Sequence, residues 1–180
     1  STTTTGVLVY TGTVQSTDRV INLAGTTGGG TIDQSGSSGA LTFSSALTAT
    51  GVGAKTLTLQ GSTAGTGVFS GLIVDGSGTT SVTKAGTGTW TLSGANTYTG
   101  ATTLSAGTLR ATTDAGALGA GTLALNGGVL ELANDTGLNF GRNTTLGATV
   151  TITSDRLTSG AGVTHTLGTL SIGNYTLNVT

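Results

Sequence analysis

The sequence predicts an all-β chain wound into stacked coils, a single solenoid domain over residues 1–180. Three observations carry that expectation. Apolar and polar residues alternate with a period of two along nearly the whole chain, the signature of strands with one buried face. Glycine clusters interrupt the alternation and supply the turns. Strand-plus-glycine units then recur, as Leu59-Gln60-Gly61, Leu92-Ser93-Gly94, Leu125-Asn126-Gly127 and Ile172-Gly173. Hairpins would serve Asp75-Gly76 and Asn126-Gly127 equally well. Recurrence favours stacking, because each coil buries its inner face only against its neighbours. At about 20–25 residues per coil the chain makes roughly eight coils.

In chain order, Val7 and Val9 open the series, followed by Ile21 and Leu23, then Leu41 and Phe43. Leu57 and Leu59 alternate with Thr56, Thr58 and Gln60, and Trp90 and Leu92 with Thr89, Thr91 and Ser93. Leu123 and Leu125, Leu130 and Leu132, and Val150 and Ile152 continue the pattern. Leu170 and Ile172, then Tyr175, Leu177 and Val179, close it. Each pair is expected to face inward, with threonine on the outer face, where β-branched side chains suit a pleated surface. The strongest helix candidate, Asp114-Ala115-Gly116-Ala117-Leu118, is short and broken by glycine. The final residues Tyr175–Thr180 read as a strand, which suggests a chain cut from a longer one or an end covered by another molecule.

Composition narrows the function classes. Thr 43, Gly 33 and Ser 16 make up about half of the 180 residues, while charged residues are 7% and proline and cysteine are absent. Thr, Gly and Val disfavour helix interiors, which argues against a helical bundle. Without cysteine there is no disulfide framework and no thiolate metal site. Six basic residues and a pI near 5.5 offer no electrostatic case for nucleic acid. No apolar run approaches the roughly 18 residues of a membrane helix, so membrane insertion by this segment is not expected. Ser1 opens the chain without a basic and apolar leader, so a signal peptide is absent or already removed.

The most specific stretch is residues 79–111, TTSVTKAGTGTWTLSGANTYTGATTLSAGTLRA. Its Lys84, Gly86, Gly88, Thr89, Trp90, Leu92, Ser93, Gly94, Asn96, Thr97, Tyr98 and Gly100 follow the pattern Lys-x-Gly-x-Gly-Thr-Trp-x-Leu-Ser-Gly-x-Asn-Thr-Tyr-x-Gly. A threonine-rich strand ending in Ala-Gly-Thr-Leu comes next. This stretch closely resembles the autotransporter-associated β-strand repeat, the passenger-associated transport repeat of type V secreted bacterial proteins. The resemblance extends over about residues 55–133, and the flanks share only its style. It implies a right-handed parallel β-helix on a protein exported across a Gram-negative-type envelope. It also implies a secreted or cell-surface location, within adhesins and other large surface proteins, and a repeat that aids passage and folding outside the cell. The family's usual C-terminal membrane barrel does not occur in the chain.

The motif residues also have readings of their own. Trp90 and Tyr98 supply bulk to a chain with few aromatics, with sugar stacking by an exposed Tyr98 as the functional alternative. Asn96 satisfies backbone groups at a turn, as stacked asparagines do. Lys84 is expected in solvent with its stem along the sheet. Other chemistry is thin. His165 is the only histidine and reads as an outward or turn residue rather than a triad member. Among the carboxylates, Asp114, Glu131 and Asp135 are the candidates for a glycosidase-like pair. Gly28-Gly29-Gly30-Thr31-Ile32-Asp33 half-matches a calcium-coil repeat, but no tandem copy follows. Gly51-Val52-Gly53-Ala54-Lys55-Thr56 lacks the glycine before lysine that a phosphate loop requires.

No catalytic, metal or cofactor site is therefore expected. The leading expectation is a non-catalytic spacer segment of a secreted or surface-anchored, autotransporter-like protein. The second is a self-assembling fibre subunit joined end to end. The third is a carbohydrate-binding or carbohydrate-active β-helix. A host-surface or matrix glycan or protein is the expected class of external partner.

Overall fold

The computed structural model describes residues 5–62 and 64–180. The first four residues of the expected domain, the leader-free start at Ser1 among them, lie outside the described residues. Among the described residues sixteen strands alternate between two faces. One face carries β1 (Gly6–Tyr10), β3 (Gly28–Gln34), β5 (Lys55–Gly61), β7 (Thr80–Lys84), β9 (Thr102–Leu104), β11 (Leu123–Leu125), β13 (Thr144–Leu146) and β15 (Leu170–Ser171). The other carries β2 (Gln15–Thr17), β4 (Ala40–Phe43), β6 (Thr66–Phe69), β8 (Thr89–Leu92), β10 (Thr108–Thr112), β12 (Val129–Ala133), β14 (Val150–Asp155) and β16 (Leu177–Val179). Each set forms an eight-stranded sheet in the order β1-β3-β5-β7-β9-β11-β13-β15 or β16-β14-β12-β10-β8-β6-β4-β2. Pairing is parallel throughout, as in Val82↔Thr102 and Leu109↔Leu130. The chain is a parallel β-helix of about seven turns, close to the expected eight.

The coil length varies. Thr89 pairs with Thr108, a step of 19 residues, whereas Gly28 pairs with Lys55, a step of 27. The strand-plus-glycine units recur irregularly because they fall on different faces. Leu59 and Leu125 lie in β5 and β11 of one sheet, and Leu92 lies in β8 of the other. A third, shorter side closes each coil through backbone bonds, including Leu23 N–H to Thr48 O at 2.8 Å, Thr97 N–H to Ile73 O at 3.0 Å and Phe140 N–H to Thr166 O at 2.8 Å. Asp114–Leu118 lies on this circuit as a turn, and no α-helix occurs among the described residues.

Register stacks like upon like. One inner column of the first sheet runs Leu8, Ile32, Leu59, Lys84, Leu104, Leu125, Leu146. An outer column runs Thr31, Thr58, Thr83, Thr103, Ala124, Thr145. Leu57, Leu59, Leu92, Leu104, Leu109 and Leu130 are fully buried. Phe43 stacks on Phe69 of the next coil at 5.7 Å between ring centroids. Burying such aliphatic side chains is worth about 1.5–3 kcal/mol each.

Four inward assignments change, at Val7, Val9, Ile172 and Tyr175. Leu8, opposite Ile32, takes the inner position in β1, so Val7 and Val9 face out, at 59% and 58% exposure. Parity was ambiguous there, because Val7, Leu8 and Val9 are all apolar. Leu170, Leu177 and Val179 keep inner register opposite Thr144, Val150 and Ile152. They belong to the last strand of each sheet, and Leu170 and Val179 are exposed. Ile172 and Tyr175 fall outside strands and are exposed. Threonine is also not confined to the outside: Thr80, Thr102, Thr112 and Thr144 are buried.

Candidate functional site in the motif coils

The motif stretch runs through β7, β8, a third-side segment and β9, and enters β10. Lys84 ends β7 with the same parity as Val82, so alternation turns it inward. It is fully buried, which corrects the expected solvated lysine. Its ammonium donates to Ala85 O at 2.6 Å, Gly86 O at 2.9 Å and Ala106 O at 3.0 Å. Burial draws its pKa down to about 8. Three N–H donors meet three carbonyls, so no donor is left over.

Trp90 crosses the interior. It sits in β8 opposite Gly67 of β6, and its indole N–H donates to Gln60 O of β5 at 2.8 Å. A Cβ on Gly67 would lie 2.3 Å from the indole ring, so only glycine lets the ring lie flat on the preceding coil. Thr89 lies half-buried beside it, and Leu92 is buried opposite Phe69. A Cβ on Gly88, Gly94 or Gly100 would come within 2.2, 2.5 and 2.4 Å of the carbonyls of Ser62, Gly71 and Thr80, so these three positions set how closely coils approach. Gly86 turns the corner at φ 65°.

Asn96 bridges three coils on the third side. Its Oδ1 accepts from Ile73 N–H and its Nδ2 donates to Ala117 O, both at 2.8 Å. Tyr98 is fully buried, which removes it as a sugar-stacking surface. Its hydroxyl lies 2.6 Å from Thr102 Oγ1, which itself donates to Leu118 O at 2.8 Å. Since Thr102 spends its proton on Leu118, Tyr98 is the donor to Thr102. Burial holds the Tyr98 phenol well above its ordinary pKa, against the Thr102 hydrogen bond and the Arg142 charge.

The sequence reading missed two further staples. Lys55, set aside with the failed phosphate loop, is buried and donates to Val52 O at 2.7 Å, Gly53 O at 3.0 Å and Thr26 O at 3.2 Å. Its shared parity with Leu57 and Leu59 was the available signal. Asp75 accepts from Thr80 N–H at 2.7 Å, from Thr99 N–H at 3.1 Å and from the Thr99 hydroxyl at 2.6 Å. Nothing in the sequence signals this clamp, because it joins positions 24 residues apart.

The remaining candidates each have partners of their own. Leu138 N–H donates to His165 Nδ1 at 3.0 Å, so Nε2 carries the proton and donates to Asp155 O at 3.0 Å. His165 therefore ties coils together rather than standing outward, and both ring nitrogens are taken by backbone. Asp114 accepts from Gly116 N–H at 2.7 Å, and Glu131 pairs with Arg110 at 2.8 Å. Asp135 accepts from Thr158 N–H at 2.9 Å, with Arg156 at 3.6 Å. Among the described residues no three acidic or histidine side chains gather to hold a metal ion. Cavities of about 450 and 710 Å³ open beside β1 and β2, and none of these three acids lines them.

Comparison with known proteins finds a family and a relative. Residues 82–111 match the passenger-associated-transport-repeat family. Over 185 aligned residues the chain is 38% identical to "Adhesin BmaC autotransporter" of Brucella suis biovar 1 (strain 1330). That alignment takes in 96% of this chain and 4% of the relative's length. No solved structure matches.

Proposed function

We infer that this chain, which carries a passenger-associated transport repeat, is a non-catalytic β-helical spacer in a secreted or cell-surface protein of a Gram-negative bacterium. One observation supports the reading most strongly. The distinctive side chains of the repeat, Lys84, Trp90, Asn96 and Tyr98, are all buried and bonded within the chain. They are spent on joining coil to coil, which leaves none of them for a substrate or a partner. Such a segment acts by length, stiffness and resistance to proteases. The autotransporter adhesin it resembles is far longer, and the spacer reading assigns recognition of host-surface or matrix molecules to other parts of the parent protein.

The test is made in the parent protein displayed on cells. Duplicating residues 55–143, four whole coils from β5 to the segment before β13, is expected to lengthen the projection seen by electron microscopy while leaving adhesion unchanged. Inhibition of adhesion by the purified chain, or cleavage of a polysaccharide by it, would contradict the reading.

A second reading, end-to-end stacking of copies, has its own support. Leu8 at one end of the coil stack and Leu170 and Val179 at the other hold inner register yet are exposed at 46%, 48% and 69%. Parallel edges with apolar inner columns suit another coil of the same kind, from the parent chain or from a second copy. Filaments of the purified chain in electron micrographs would favour stacking, and monodisperse monomers at high concentration would exclude it.

A further inference from the structure

Lys55 and Lys84 share a geometry that their positions do not require. Lys55 begins β5 and Lys84 ends β7, so they stand at opposite borders of the same sheet. Each ammonium takes two carbonyls from its own corner and one from an adjacent coil. For Lys84 these are Ala85, Gly86 and, 22 residues on, Ala106. For Lys55 they are Val52, Gly53 and, 29 residues back, Thr26. No carboxylate is among the partners in either place. A buried positive charge is thus held by backbone dipoles alone, the donor set that selects monovalent cations elsewhere in protein chemistry. The corner is also shaped around the charge. A Cβ on Gly107 would lie 2.7 Å from the Lys84 Nζ and 2.5 Å from both Gly86 O and Gly88 O.

We propose that these two corners are carbonyl cages for a monovalent cation, with the lysine ammonium as a tethered occupant. A chain whose tether is shortened takes a free ammonium or potassium ion into the same cage. Stacking turns in parallel aims several carbonyls of neighbouring coils at one point, where they repel each other unless a cation lies between them. A tethered cation makes that joint independent of the ionic composition of the medium.

The experiment is a thermal melt of the full chain at pH 7 and constant ionic strength. Ammonium chloride, potassium chloride and tetramethylammonium chloride are compared. Lys84→Ala opens the cage, and Lys84→Met fills it with an uncharged side chain of similar length. In tetramethylammonium both variants are expected to melt below the wild type. Exchange to ammonium or potassium raises the midpoint of Lys84→Ala by about 3 °C at ion concentrations roughly tenfold above Kd. Lys84→Met and the wild type do not respond to the exchange. Equal midpoints of Lys84→Ala in the three salts, or the same rise in Lys84→Met, would overturn the proposal. If Lys84→Ala does not fold, Lys55→Ala is measured in the same way. Failure of both to fold in every salt also overturns it, because an ion-accepting cage restores them.

Discussion

Asn96 carries a burden out of proportion to its size. Its amide replaces a stretch of backbone ladder on the third side, accepting from Ile73 and donating to Ala117. Asn96→Ala orphans both groups in the interior and is expected to cost about 1–3 kcal/mol for each, read as a lowered urea midpoint. Gly107 sits at φ 67° with two carbonyls of the preceding coil in the space of a side chain. Gly107→Ala is expected to cost about 1–3 kcal/mol in the same assay. Gly162→Ala, where nothing lies within 4 Å, is expected to be nearly neutral. Equal effects at the two glycines would show that coil spacing does not set the cost. At this scale the sequence was partly legible. Trp90 and Tyr98 announced themselves as bulk, whereas the shared parity of Val82 and Lys84, a signal of the inward lysine, went unused. The habit of assigning lysine to solvent hid Lys84, and one of the three carbonyls that receive it, Ala106 O, comes from a corner 22 residues away.

At the scale of elements, the clamp at Asp75 makes a prediction about pH. Burial raises its pKa, but the bonds from the Thr99 hydroxyl, Thr80 N–H and Thr99 N–H outweigh it and hold the carboxyl below its ordinary 3.8. The folded state therefore binds this proton less readily than the unfolded chain. The resulting stability is present above about pH 4 and is lost as pH falls through the carboxylate range. Asp75→Asn, whose amide oxygen can replace Oδ1 but whose nitrogen cannot accept from the Thr99 hydroxyl as Oδ2 does, is expected to be less stable than the wild type at pH 7. The gap should narrow between pH 5 and pH 2, and a gap constant across that range would contradict the clamp. Strands were the most legible elements, since alternation located Leu57–Leu59, Trp90–Leu92 and Leu130–Leu132 on inner faces. Coil lengths were not legible. Corners of different size separate the strands, so steps range from 19 to 27 residues, and no local signal counts them.

Across the whole molecule, stability is a sum over coils and their interfaces, so it should grade along the stack. The coils from β5 to β12 have fully buried inner columns, while the two end strands of each sheet have one covered side. Native-state hydrogen exchange is expected to find the slowest amides in β5 to β12 and the fastest strand amides in β1, β2, β15 and β16. A uniform profile would mean that the chain opens only as one unit.

The central claim is parallel, in-register winding, and paired spin labels on the outer threonine column test it most directly. Labels at Thr58 and Thr83, and at Thr83 and Thr103, should each lie about one strand spacing apart, ~4.8 Å along the stack, and Thr58 and Thr103 about twice that. Strong, equal coupling in the two adjacent pairs with weaker coupling in the third is the predicted result. Unequal coupling in the adjacent pairs, or none, would mean that the strands are joined as hairpins, and the wound stack would be wrong.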